Sequence, residues 1–254
     1  MSIANYLSAL VSQKNALAEN LVSMGVSAST SEKLNTLVPK VLSIAGGGGG
    51  PLTSLIDRTI TEISESTVSS IGPYAFYGCS QLSRASFPSC RTIGSSAFYN
   101  CSNLSDIDFF YCQEIGPYAF TNCVSLSEIT RSSFNYTDIS QYAFYGCTGL
   151  EKADLNCGVS IYYSAFANCA NLSTVSLFNC RHIGSNVFSK CYNLVSLYLD
   201  NFCELMGNAF NSTPIGGYSG SAGRYGSIYV PASYYSQYLS ASYWSDFSSR
   251  IVSY

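Results

Sequence analysis

The stretch Ile93-Gly94-Ser95-Ser96-Ala97-Phe98-Tyr99-Asn100-Cys101-Ser102-Asn103-Leu104-Ser105-Asp106-Ile107-Asp108-Phe109 decides how this chain folds, because its spacing returns along most of the sequence. The Ala-Phe dipeptide recurs at Ala75-Phe76, Ala119-Phe120, Ala143-Phe144, Ala165-Phe166 and Ala209-Phe210, with Val187-Phe188 in the remaining seat. Successive steps are 22, 22, 24, 22, 22 and 22 residues. Aligned on the dipeptide, each unit reads I-G-x-x-A-F-x-x-C-x-x-L-x-x-h-x-h, where h is apolar. Six units keep the cysteine (Cys79, Cys101, Cys123, Cys147, Cys169, Cys191) and six keep the leucine (Leu82, Leu104, Leu126, Leu150, Leu172, Leu194).

The end of the unit alternates apolar and polar residues, which puts its apolar side chains on one face of a short strand. The Gly-x-x-Ala-Phe stretch is too short for a long helix and predicts a turn or one or two helical turns. Neither half can bury its apolar side alone, so neighbouring coils must stack and share one core. Each repeated apolar position then becomes a column running through the stack.

That reading accounts for the 11 cysteines, a number that otherwise invites disulfide or metal chemistry. One cysteine per coil predicts a column of small buried side chains, a common role for free Cys. A second set follows the strand: Cys90, Cys112 and Cys180, with Cys157 and Cys203 one residue out of register. No C-x-x-C spacing of the kind zinc sites use is present. With 47% apolar and 11% charged residues the chain has ample material for a core. A net charge of −3 argues against a phosphate-backbone partner. The single histidine, His182, leaves little room for His-based catalysis, and we expect no cofactor, no metal and no enzymatic activity.

The segments Leu104 to Cys112 and Leu172 to Cys180, L-x-x-h-x-h-x-x-C, resemble the leucine-rich-repeat signature. With I-G-x-x-A-F-x-x-C in front, the unit resembles the BspA-like leucine-rich repeats of bacterial surface and secreted proteins, some protozoan proteins and some bacteriophage proteins. The likeness covers about residues 60–228. It implies an α/β fold: a curved, right-handed solenoid of about seven coils with a parallel strand ladder, associated with adhesion and recognition. Three departures stand out. The third unit carries two extra residues within 131–138, Ser140 and Tyr162 replace the usual glycine, and the seventh unit has Thr213 in place of Cys.

The ends differ in kind. Ile3, Leu7, Leu10, Lys14, Leu17, Leu21 and Met24 are spaced as a heptad seam, so residues 1–45 predict a helical attachment or oligomerisation module, with Leu7, Leu10, Leu17 and Leu21 as its contact residues. An intramolecular helical hairpin is the alternative. Residues 46–51, five glycines and Pro51, predict a flexible linker. The solenoid, with its N-terminal cap, is expected over 52–230, and an aromatic capping helix over 231–254. The opening M-S-I-A-x-Y-L, the segment Leu34 to Val41, the glycine linker and the Y-V-P-A-S at Tyr229–Ser233 together look like tail or appendage proteins of phages and prophages of gut Firmicutes.

No basic-then-apolar leader opens the sequence and no run is long enough to span a membrane. The function expected is therefore ligand binding or adhesion. Its partner would be a host surface protein or glycan, without nucleic acid or membrane insertion. Two locations fit: a virion appendage, or the extracellular surface of a bacterium. The binding residues expected are outward positions of the strand ladder, which vary from coil to coil: Arg84, Asp106, Asp108, Phe110, Glu128, Thr130, Lys152, Asp154, Phe178 and Tyr198. Abundant Tyr (21) and Ser (45) suit such a surface, because they join rigid amphipathic area to adaptable hydrogen bonding.

Overall fold

A computed structural model describes residues 60–130, 138–156, 160–217 and 225–254, together with Ser29. The helices and linker expected over 1–51, and the two-residue insertion within 131–138 apart from Asp138, lie outside these residues. The repeat forms a parallel β-solenoid of about eight turns. One column of strands consists of β1 (Glu62–Ser64), β3 (Arg84–Ser86), β5 (Asp106–Asp108), β7 (Glu128–Ile129), β9 (Lys152–Asn156), β11 (Thr174–Phe178), β13 (Ser196–Leu199), β15 (Ser227–Val230) and β16 (Ile251–Ser253). A second column consists of two-residue strands: β2 (Ser70–Ile71), β4 (Thr92–Ile93), β6 (Glu114–Ile115), β8 (Asp138–Ile139), β10 (Ser160–Ile161), β12 (His182–Ile183) and β14 (Glu204–Leu205). The second column is an unbroken seven-stranded sheet, whereas the first divides between β5 and β7 into sheets of three and six strands.

The third side has neither helix nor strand among the described residues: of the two forms expected for the Gly-x-x-Ala-Phe stretch it takes the turn, and the α/β expectation narrows to a parallel β-solenoid with few helices. Within a coil the N–H groups of Ala75, Tyr77 and Cys79 bond back to the carbonyls of Gly72, Tyr74 and Phe76. The intervening N–H groups of Tyr74, Phe76 and Gly78 cross to the carbonyls of Ser95, Ala97 and Tyr99 in the next coil, at 2.7–2.9 Å. The phenylalanine link recurs at Phe98 to Ala119, Phe120 to Ala143, Phe144 to Ala165, Phe166 to Val187 and Phe188 to Ala209. A helix would spend these donors inside its own turn. It is also excluded by two left-handed residues per coil, such as Ser96 (φ 55°) with Asn100 (φ 57°), or Ser164 (φ 53°) with Asn168 (φ 62°). The second of these seats holds Gly78, Asn100, Asn122, Gly146 and Asn168, the residue types that visit this region at lowest cost. In five coils this seat is Gly or Asn, a signal in the sequence that periodicity alone passes over; Lys190 (φ 63°) and Ser212 (φ 58°) hold it in the last two.

The core is a set of columns. Phe76, Phe98, Phe120, Phe144, Phe166, Phe188 and Phe210 are all buried and stack ring on ring, with centroids 4.9–5.9 Å apart and planes within 19° of parallel. The alanine, leucine and cysteine seats are buried beside them. Ile63 and Val68 fill core seats at the N-terminal end, as expected of a cap, with Ile60 packed partly against them.

The C-terminal end differs from the single capping helix expected over 231–254. Pro231 is followed by a short 3-10 turn, Ala232–Tyr234, the six-residue helix α1 (Tyr235–Ser240), and a second 3-10 segment, Ser245–Arg250. Extended Ala241 and left-handed Tyr243 (φ 61°) interrupt it. The chain then returns as β16, pairing in parallel with β15. The expected aromatic cover is present, because Tyr238 and Trp244 are fully buried. Trp244 Nε1 donates to the Cys203 carbonyl at 2.7 Å, and the Tyr238 hydroxyl donates to the Asn201 carbonyl at 2.6 Å.

Candidate ligand-binding face

The first strand column places most of the expected residues side by side. Glu62, Arg84 and Asp106 stand in register on β1, β3 and β5, and Glu128 stands beside Lys152 on β7 and β9. The Arg84 guanidinium lies 3.3 Å from the Asp106 carboxylate, with both side chains more than half exposed. A surface pair of this kind adds at most about 1 kcal/mol to stability, so these charges are available to a ligand at small cost to the fold. Two residues along, Ser86 donates to Asp108 at 3.1 Å, Asp154 aligns with Ser176, and Ser176 aligns with Tyr198. The Tyr198 ring stacks on Tyr229 at 4.5 Å. Phe178 ends β11 opposite Asn156.

Two expected residues are not on strands. Phe110 lies in the turn after β5, exposed, with its ring 5.1 Å from Tyr111, and Thr130 follows the end of β7. The strand ends before Phe110 because the chain turns to seat buried Phe109 and closes a Cys112 N–H to Phe109 carbonyl bond of 2.8 Å. The division between β5 and β7 falls where Asp106 and Glu128 would face each other, a like-charge pair that a ladder disfavours.

The ten described cysteines are free and buried. Burial pushes the Cys90 thiol up to about 11 and is the leading cause of the upward shifts at Cys101, Cys112, Cys123, Cys147 and Cys169. At Cys203 the hydrogen bond with Cys180 is the first cause and burial the second. Nucleophilic and metal-binding cysteines are thiolates, and these thiols are held protonated. His182 is half-buried on β12, its Nδ1 3.8 Å from the Glu204 carboxylate. Among the described residues no group of three or more His, Cys, Asp or Glu stands close enough to hold a metal, and no helix is long and apolar enough to cross a membrane.

A parallel solenoid with one Leu, one Cys and one Phe seat per coil defines a leucine-rich-repeat protein. The model of the BspA type leucine-rich repeat region matches in six copies over residues 57–130 and 91–216, and the chain belongs to that family. Among solved structures, the chain is similar to a leucine-rich cell surface protein from Faecalibacterium prausnitzii A2-165 (23% identity, TM-score 0.46). It is also similar to a leucine-rich repeat protein from Bacteroides ovatus ATCC 8483 (22% identity, TM-score 0.38). Each match covers 68% of this chain and about half of the other, 53% and 56% respectively. No curated protein matches the chain significantly.

Proposed function

We propose that this protein is a non-enzymatic binding or adhesion protein that recognises a ligand on a host cell surface through the outward face of its first strand column. The observation that carries this reading is the contrast within each coil. The inward seats repeat nearly without change, while the alternate strand positions vary: Arg84, Asp106, Glu128, Lys152, Thr174 and Ser196 in one row, and Asp108, Asp154, Ser176 and Tyr198 in the next, where Ser86 is buried and Thr130 lies past the end of its strand. Packing explains the fixed seats and does not explain the variation of the others.

Two settings suit such a protein. A phage or prophage tail appendage is supported by the likeness of the N-terminal segment and glycine linker to such proteins, with residues 1–45 attaching or oligomerising the chain. A cell-surface or secreted adhesin of a bacterium is supported by membership of the BspA-type family. Neighbouring tail and lysis genes would favour the first, and their absence the second.

The test is whole-cell binding of fluorescently labelled full-length protein across a panel of gut bacterial and epithelial cells. The same measurement is made on a variant carrying Arg84→Ser, Lys152→Ser, Asp154→Ser and Tyr198→Ser together. Saturable binding lost in the variant, with its unfolding transition unchanged, supports the reading. Saturable binding that the variant retains rules out this face.

A further inference from the structure

At one seat of the repeat, just after the second-column strand, the coils carry Gly72, Gly94, Gly116 and Gly184. The reason is crowding. A Cβ on Gly94 would come within 2.5 Å of the Pro73 backbone, on Gly116 within 2.8 Å of the Ile93 carbonyl, and on Gly184 within 3.0 Å of the Ile161 carbonyl. Three coils nevertheless place a side chain there: Ser140 and Tyr162 in succession, and Met206 in the last coil. The ladder accepts them without losing a bond: the N–H of Ser140 donates to Ile115 at 3.0 Å and that of Tyr162 to Ile139 at 2.9 Å. The fold thus tolerates a side chain at this seat without requiring one, and Ser140 and Tyr162 hold it in adjacent coils.

These two residues line a groove of about 300 Å³, together with Glu114, Pro117, Asp138 and Gln141. It lies along the edge between the second strand column and the turns, away from the face proposed above. Tyr162 is 47% exposed. Glu114 and Asp138 stand in register on adjacent strands β6 and β8. The Asp138 carboxylate is held in place by the Ser160 N–H at 2.9 Å. An aromatic face, two carboxylates, an amide and a hydroxyl therefore converge on a small open cavity, in the size range of a ligand site.

We propose that this groove binds a neutral or amino hexose residue of a surface glycan. A pyranose has a face of C–H groups and a rim of hydroxyls. The C–H face fits the electron-rich face of Tyr162. Adjacent rim hydroxyls donate to the carboxylates of Glu114 and Asp138 in charge-assisted bonds, and the Gln141 amide both donates and accepts. The two carboxylates repel acidic sugars and tolerate an ammonium substituent. A basic peptide would satisfy the carboxylates but leaves the neutral share of the lining, Pro117, Ser140 and Gln141, without a role.

The inference does not depend on the strand face, and the experiment separates them. The full-length protein is titrated by saturation-transfer NMR and calorimetry with the methyl glycosides of galactose, mannose, N-acetylglucosamine and glucosamine, and with sialic acid and tetralysine. The variants restore what other coils carry in the same seats: Tyr162→Gly (as Gly116), Gln141→Ser (as Ser95) and Glu114→Thr (as Thr92). Each is therefore compatible with the fold. The expected result is saturable binding of at least one neutral or amino glycoside, no binding of sialic acid, and a loss of tenfold or more in Tyr162→Gly with an unchanged unfolding transition. Binding of no neutral or amino glycoside, binding of tetralysine alone, or sugar binding that Tyr162→Gly leaves intact overturns the proposal. In the last case, loss in the strand-face variant would assign the sugar to the other site.

Discussion

The thiol of Cys123 donates a 3.2 Å hydrogen bond to the carbonyl of Phe98 in the preceding coil. The same link joins Cys101 to Phe76, Cys147 to Phe120, Cys169 to Phe144 and Cys191 to Phe166, at 3.0–3.2 Å. The cysteine column is thus a hydrogen-bond ladder as well as an apolar filling. This separates two expectations for Cys123. If only size and apolarity mattered, Cys123→Val would be the milder change. Because a donor is needed and space is tight, Cys123→Ser should cost about 1 kcal/mol and Cys123→Val about 1–3 kcal/mol, from overpacking and the lost bond. Urea unfolding of the two variants checks the order.

The buried thiols also set a pH dependence. The native pKa values of Cys90, Cys101, Cys112, Cys123, Cys147, Cys169 and Cys203 are raised, so the protonated folded state is favoured, and this contribution is fully present below the unfolded value near 9.0. It is lost as pH climbs from there toward the raised native values, about 11 for Cys90. Stability should be flat across neutral pH and fall above about pH 9, each such thiol contributing about 1.4 kcal/mol per pH unit within its window. Melting from pH 6 to 10.5 tests this, and a thiol-specific reagent should find the ten described cysteines unreactive until the chain unfolds.

Asn122 occupies the left-handed corner at φ 59° and donates through its side chain to Asn100 at 3.0 Å. Asn122→Ala should lose about 1–2 kcal/mol, because alanine tolerates that corner poorly. Asn122→Gly should stay within about 1 kcal/mol of the parent, since Gly78 and Gly146 serve the same corner in other coils. Thermal melts of both variants decide it.

Much of the architecture is legible in the residues themselves, because burial acts on every coil alike. Ala97, Phe98, Cys101, Leu104 and Ile107 repeat, and all five are buried. What escapes the pattern is settled by backbone pairing, which leaves a fainter trace. The crossing bonds from Phe76 to Ala97 and onward depend on left-handed corners, written as Gly or Asn before the first five cysteines of the column but as Lys190 before Cys191. The return of the chain as β16 depends on Ile251 finding a place beside Ile228. In the candidate face, Arg84, Lys152 and Tyr198 lie where alternation puts them. Phe110 does not, because a turn begins one residue earlier than the period suggests. The groove at Tyr162 shows in the sequence only as a missing glycine, whose meaning needs the neighbouring coil.

At the C-terminal end, Trp244→Phe keeps most of the ring volume but strands the Cys203 carbonyl, which the indole N–H now satisfies. We expect a loss of about 1–3 kcal/mol, the usual cost of a buried group left unpaired. Denaturant unfolding of the variant measures it, and hydrogen exchange should show the loosening first in β15 and β16.

The central claim is that recognition resides in the variable outward seats of the first strand column. The most direct measurement is coil-by-coil scanning against the cell target identified by binding. The outward residues of one strand at a time, Arg84 alone on β3 and then Asp106 with Asp108 through Ser196 with Tyr198, are replaced by serine or, where serine is native, by alanine, and affinity is read by surface plasmon resonance. The account predicts losses of tenfold or more confined to adjacent coils, with no change in unfolding midpoint. Affinity unchanged in every coil variant would contradict it.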